Sequence, residues 1–248
     1  MNSPRTLLAT RSGLSVTDLL VAILVLVVLA LLSLGVLQRS GELARNAQCT
    51  ANLRAVGLGA LQFMHDRGGT LLPSKHYVNP SFRADKPGFR DYVGVSSTNI
   101  KVNAPEFQVD SAFTCPTVKR EYPGMYPSYL NRCYVANFYA FLDDPENLDE
   151  LPEDRKPASP DFYGRLANVP APSRMWMFAD PCVREPNPTN ISTYSKPDYY
   201  KTGSTYRVEF HRRRTNAVFF DGHVEPLTRA DFYQGSRKYF WGIATATD

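Results

Sequence analysis

RSGLSVTDLLVAILVLVVLALLSLGVLQR, residues 11 to 39, decides how the rest of the chain is read. From Leu19 to Leu37 no residue is charged, and only Ser33 and Gly35 interrupt the aliphatic run. As a helix this run is about 28 Å long, close to the hydrocarbon thickness of a bilayer. Arg5 and Arg11 precede it, and the positive-inside tendency places that short side in the cytoplasm. Everything after residue 40 is then expected outside the cytoplasm. The rival is a cleaved secretory signal, with Ser33-Leu34-Gly35 as its small-residue site. Apolarity continues through Val36 and Leu37, and a helical period follows, so a retained segment fits better.

Beyond the apolar run, Cys49, Leu53, Val56, Ala60 and Phe63 recur at helical spacing, while Arg45, Asn52, Arg54 and Gln62 fall mostly off that stripe. Gly68-Gly69 supplies a stop. The reading is one helix over 14–67, membrane-spanning at 19–37 and amphipathic at 43–66, whose second half must bury its stripe against something. After residue 68 the pattern changes to short apolar pieces between turn residues. RMWMFAD (Arg174 to Asp180) suits a central strand, and TYRVEFH alternates Tyr206, Val208 and Phe210 with Arg207, Glu209 and His211. NAVFFDGHVEPL reads as a hairpin with a type I′ turn at Asp221-Gly222, pairing Phe219 with Val224 and Phe220 with His223. The acidic, proline-rich residues 143 to 172 read as a surface loop. The expected fold class is α+β: a long N-terminal helix packed on an antiparallel sheet.

Composition permits this. Of 248 residues, 43% are hydrophobic and 21% charged, enough apolar material for a core. The net charge of +4 is too small to argue for nucleic acid, and losing residues 1–13 removes Arg5 and Arg11 and leaves about +2.

Asp18 sits at the mouth of the apolar run. Ser15-Val16-Thr17-Asp18 matches a capping box, and an acid in a first helical turn complements the helix dipole by about 0.3–1 kcal/mol. The whole stretch does more. A basic leader ending in Gly13, an acid fifth after it and then an apolar helix resemble the type IV prepilin signal. That resemblance implies cleavage between Gly13 and Leu14 by a prepilin peptidase, with N-methylation of Leu14. The usual first residue is Phe and the usual fifth is Glu; here they are Leu14 and Asp18. In such a subunit the Leu14 amine neutralises Asp18 of a neighbour, which offsets the roughly 2.5–3.5 kcal/mol cost of a charge in the membrane.

The C-terminal half adds HRRRTNAVFFDG: His211, nine residues, then Asp221 and Gly222. With NAQCTANLRAVGLGALQF (Asn46 to Phe63), FTCP (Phe113 to Pro116) and VPAPSRMWMFAD (Val169 to Asp180), it resembles bacterial pseudopilin-like proteins with a His-X9-Asp-Gly domain. The resemblance implies a leader at 1–13, an extracytoplasmic domain at 68–248, and a single-pass inner-membrane subunit. Its implied partners are other pilin or pseudopilin subunits, the inner-membrane platform of a type II secretion or pilus machine, and the lipid bilayer.

Other chemistry is weaker. His211, Asp221, Asp180 and His223 offer oxygen and imidazole donors, but turn and strand positions already account for them, and no enzyme motif accompanies them. No catalytic residue, no metal and no cofactor is expected; structural calcium occurs in related pseudopilins, without a matching motif here. Arg212, Arg213 and Arg214, near Arg207, form a basic patch whose alternative use is to hold a polyanion or carbohydrate on a tethered domain; a nucleic-acid partner is not expected. The acidic loop offers that patch a protein partner. Four cysteines permit three pairings, and Cys115 with Cys133 is the candidate disulfide, worth about 3 kcal/mol. Cys49, on the helix stripe, reads as a buried thiol.

Overall fold

The computed structural model describes residues 15–72, 89–94, 112–123, 134–137, 139–140, 165–186, 194–235 and 239–242. Gly13, Leu14, Cys133 and the acidic loop at 143–154 lie outside the described residues.

Helix α1 spans Val16–Asp66. The chain divides into two compact units, Met1–Leu43 and Ala44–Asp248, and α1 contributes to each. In the first unit, Val16–Ser33 has a mean hydropathy of 2.8 and none of it is buried within the protein. The segment is long and apolar enough to cross a membrane.

In the second unit, the stripe Cys49, Leu53, Val56, Ala60 and Phe63 is fully buried, as helical spacing requires of a face packed on a sheet. Gly57 lies on the same contact: a Cβ there would sit 2.5 Å from Val218 Cγ2. The helix therefore approaches the sheet more closely than any larger residue permits. Gly68 and Gly69, both at positive φ, end it, with the Gly69 amide donating to the Met64 carbonyl at 2.9 Å.

A five-stranded sheet receives that face. Its strands are β1 (Val135–Asn137), β2 (Trp176–Ala179), β4 (Tyr194–Ser195), β6 (Thr215–Phe219) and β7 (Val224–Leu227), in the order β4-β1-β2-β6-β7. All pairs are antiparallel except β1 with β4, which is parallel. The fold class is α+β, with an antiparallel sheet carrying one parallel edge strand. The expected central strand at Arg174–Asp180 is β2, buried along its length. A separate two-stranded sheet joins β3 (Val183–Arg184) to β5 (Tyr206–Arg207).

Both faces of the main sheet are covered. Ala136, Phe178, Val218 and Phe220 pack in the cluster that contains the α1 stripe. Val135, Trp176, Ala217 and Phe219 pack in a second cluster with Tyr200, Phe232 and Trp241. The register shift between Trp176 and Phe178 is what places Met177 and Phe178 on the same side. Phe232 comes from helix α3 (Arg229–Gln234), whose start is fixed by a capping box between Thr228 and Asp231. The short helix α2 (Pro116–Glu121) follows Cys115.

The turns differ from the expectation in an informative way. Asp221-Gly222 is not a type I′ turn, since only Gly222 has positive φ. The Gly222 amide donates to the Phe219 carbonyl at 2.9 Å and the Phe219 amide to the His223 carbonyl at 3.0 Å, the pattern of a three-residue loop closed by a left-handed glycine. Register shifts by one as a result, so Val218 faces Val224 and the Phe219 and His223 rings stack at 4.3 Å. Phe220 instead donates its amide to the Met175 carbonyl. The two-residue turn lies upstream: Arg212 and Arg213 are both at positive φ, and His211 and Arg214 exchange amide-carbonyl bonds at 3.1 and 3.0 Å.

Candidate functional site

That upstream turn moves His211 from where alternation puts it. The period-2 pattern assigns His211 to the polar face with Arg207 and Glu209; the structure buries it at 6% exposure. Regular pairing in β5 ends at Arg207, and the tight turn re-aims the chain before the alternation reaches His211.

His211 meets three other buried side chains. Cys49 comes from the α1 stripe and Cys115 from the residue before α2. Asp180 directly follows β2. One ligand atom from each of the four lies within 4.8 Å of all the others, and all four residues are buried. Asp180 is fixed by β6: its amide donates to the Asn216 carbonyl at 2.9 Å and its Oδ2 accepts from the Asn216 amide at 2.6 Å. Asn216 in turn donates its side-chain amide to Asn46 Oδ1 on α1 at 3.0 Å. The Tyr134 hydroxyl donates to the Cys49 carbonyl at 3.2 Å, and Asn52 donates to the Thr114 carbonyl at 3.0 Å. These bonds hold α1 and the segment carrying Cys115 in place around the cluster.

His211 Nε2 faces Asp180 Oδ2 at 3.5 Å and Cys115 Sγ at 3.6 Å. Burial disfavours the imidazolium, but the hydrogen bonds and charges of Asp180 and Cys115 outweigh it and hold the His211 pKa up at about 10. Burial, with the neighbouring Cys49 thiol and Asp180, pushes the Cys115 thiol well above its usual range against an opposing pull from His211. A thiol held protonated is a poor nucleophile. In a Cys-His-Asp triad the thiol and the carboxylate bond opposite ring nitrogens. Here both face the same one, Nε2, so the arrangement differs from such a triad.

The expected residues separate accordingly. His211 and Asp180 come together; Asp221 and His223 are outside the cluster, on the hairpin loop, where Asp221 Oδ1 accepts from the His223 amide at 3.1 Å. Gly222 supplies the positive φ of that loop. Cys115 is a free thiol beside Cys49 and His211, and its expected disulfide partner Cys133 lies outside the described residues. Among the described residues this cluster is the one group of three or more candidate ligands, and its two sulfurs do not suit calcium.

Arg212, Arg213 and Arg214 are exposed at the turn, with Arg214 donating to the Pro226 carbonyl at 3.0 Å. Arg207 stands apart from them, engaged with Glu121, Glu185 and the Tyr122 hydroxyl. Asp18 occupies the first turn of α1, where its Oδ2 accepts from the Ser15 amide at 3.1 Å, as a capping acid does.

Spacing along the chain gave no sign of Cys49 or Cys115 as ligands: no Cys-X-X-Cys is present, and each of the four residues comes from a distant segment. Comparison with known protein families, characterised proteins and solved structures gives no match to this chain.

Proposed function

We propose that the chain is a pseudopilin-like structural subunit of a type II secretion or pilus-like assembly, processed after Gly13 and assembling through α1. The observation that carries this reading is the division of labour along one helix. Val16–Ser33 offers an uncovered apolar surface, whereas the stripe from Cys49 to Phe63 is sealed into the globular core. A subunit that waits in a bilayer and then joins a helical bundle needs both properties, since lipid and neighbouring helices are interchangeable solvents for an apolar surface. The acid in the first turn adds polarity to the packing: Asp18 at the membrane mouth is costly alone and adhesive beside a neighbour's terminal ammonium. The globular domain is then extracytoplasmic, and prepilin peptidase, sibling subunits and the assembly platform are its partners.

Mass spectrometry of the mature N-terminus tests processing: a start at Leu14, N-methylated, is expected. Asp18→Ala should stay in the membrane fraction while its recovery in sheared, pelletable filaments falls. A working protein that retains Met1, or unchanged filament recovery, refutes the assembly role. A second reading rests on the three exposed arginines at one turn, as a polyanion-binding surface of a tethered domain. It requires Arg213→Glu to weaken retention on heparin at low salt without altering assembly.

A further inference from the structure

We propose that Cys49, Cys115, Asp180 and His211 form a closed structural site for a zinc-type divalent metal ion, which pins α1 to the sheet. The donor set is the first argument. Two sulfurs, one imidazole nitrogen and one carboxylate oxygen match the ligands of tetrahedral zinc, and they exclude magnesium and calcium, which take oxygen.

Geometry is the second. Zinc–sulfur bonds of about 2.3 Å and zinc–nitrogen or –oxygen bonds of about 2.0–2.1 Å put tetrahedral donors roughly 3.3–3.8 Å apart. The four donors lie within 4.8 Å of one another, and the two measured pairs involving His211 Nε2 are 3.5 and 3.6 Å apart. Charge-assisted nitrogen–oxygen bonds are about 2.7–2.9 Å. The His211–Asp180 pair is longer than that and falls within the span of ligands around a shared centre.

Asp180 is fully buried, and its Oδ1 has no hydrogen-bond partner. A buried carboxylate oxygen without a partner is expensive. Asn216 already holds the other oxygen and fixes the carboxylate in place. A cation among the four side chains supplies the counter-charge that this buried carboxylate needs. The backbone bonds that hold Asp180, and the Tyr134 bond to the Cys49 carbonyl, are the kind of support that orients ligands from outside the coordination sphere.

Four protein ligands leave no open position, so the site is structural and not hydrolytic. Its mechanical effect follows from its connections. The ion joins α1 to the segment before α2, the end of β2 and the turn after β5 in a single cross-link. Binding requires ionised thiols and neutral imidazole, so loading the site with zinc releases protons.

The test uses the full-length protein, purified in detergent under reducing conditions and stripped with a chelator. Zinc alone is titrated in competition with a chromophoric chelator, and cobalt is added in parallel. One zinc per chain is expected, with proton release into weak buffer and a thiolate-to-cobalt charge-transfer band of tetrahedral intensity. Cys49→Ser and Cys115→Ser should each weaken zinc by roughly a hundred-fold or more, while His223→Ala should leave affinity unchanged. The cobalt spectrum of the unsubstituted protein decides the matter even where the variants fail to fold. Substoichiometric zinc, cobalt bound without sulfur, or a Cys49–Cys115 disulfide in protein isolated without reductant would each overturn the proposal.

Discussion

Gly57→Ala probes the contact on which the globular unit depends, the seating of α1 on β6. Away from tertiary contacts this change stabilises a helix by about 1 kcal/mol, because alanine loses less backbone entropy than glycine. Here the new methyl falls 2.5 Å from Val218 Cγ2, closer than carbon atoms tolerate, and a tight 3.2 Å from Cγ1. Both partners are buried in a packed core, so overpacking should cost about 1–3 kcal/mol. The net expectation is a loss of about 1 kcal/mol. Val218→Ala alone should cost about 2–3 kcal/mol through lost burial and the void it leaves. In that background the offending methyls are gone, and Val218 Cβ, at 3.4 Å, is an ordinary neighbour. Gly57→Ala should then turn stabilising by about 0.5–1 kcal/mol, its helix propensity now expressed. The double-mutant cycle therefore predicts a change of sign, not merely of size. Urea unfolding of the detergent-solubilised full chain, followed by tryptophan fluorescence, measures it. The chain has two tryptophans, and Trp176 and Trp241 are both fully buried on the opposite side of the sheet. They report global unfolding without touching the substituted pair. Equal stabilisation by Gly57→Ala in both backgrounds would show that the helix does not approach the sheet this closely.

Two further outcomes follow from the site and its turn. With chelator present, His211 titrates near 10 in the folded chain against about 6.5 unfolded, so its contribution is full below about pH 6.5 and is lost as pH rises toward 10. Cys115, whose thiol burial pushes up, adds a loss of the same sign. Stability of the stripped protein should fall by a few kcal/mol over that window, and His211→Gln should flatten the curve; a pH-independent urea midpoint in the unsubstituted protein would contradict this. Arg212→Asn with Arg213→Gly places the preferred pair at the two positive-φ positions and should raise stability by about 1 kcal/mol, read as an increased urea midpoint at unchanged slope.

Local periodicity was enough to determine the long helix. The aliphatic run at 19–37 and the stripe from Cys49 to Phe63 follow from rules that act within a few residues, and the structure buries that stripe as spacing requires. The buried strand at Trp176–Ala179 was legible for the same reason, since a continuous apolar run has no face to give to water. Turn chemistry was legible only as turn chemistry. Asp-Gly announced a hairpin, but the loop holds three residues, with Phe220 bonded to Met175 just before β2, a contact from another segment. The tight turn fell on two arginines that no propensity would choose.

Half of the four-residue cluster was legible in the sequence: His211 and Asp180 stood among the candidate donors, while Cys49 and Cys115 did not. His211 was noticed for its spacing to Asp221, which the fold leaves outside on a loop. Its actual neighbours, Asp180, Cys115 and Cys49, lie 31, 96 and 162 positions away. Sequence determined the helix, its apolar and amphipathic halves and the α+β class, because those properties are sums of local terms. Only the tertiary structure could bring two thiols, a carboxylate and an imidazole to one point, because that convergence is decided by how α1 and the strands pack, and packing carries no period along the chain.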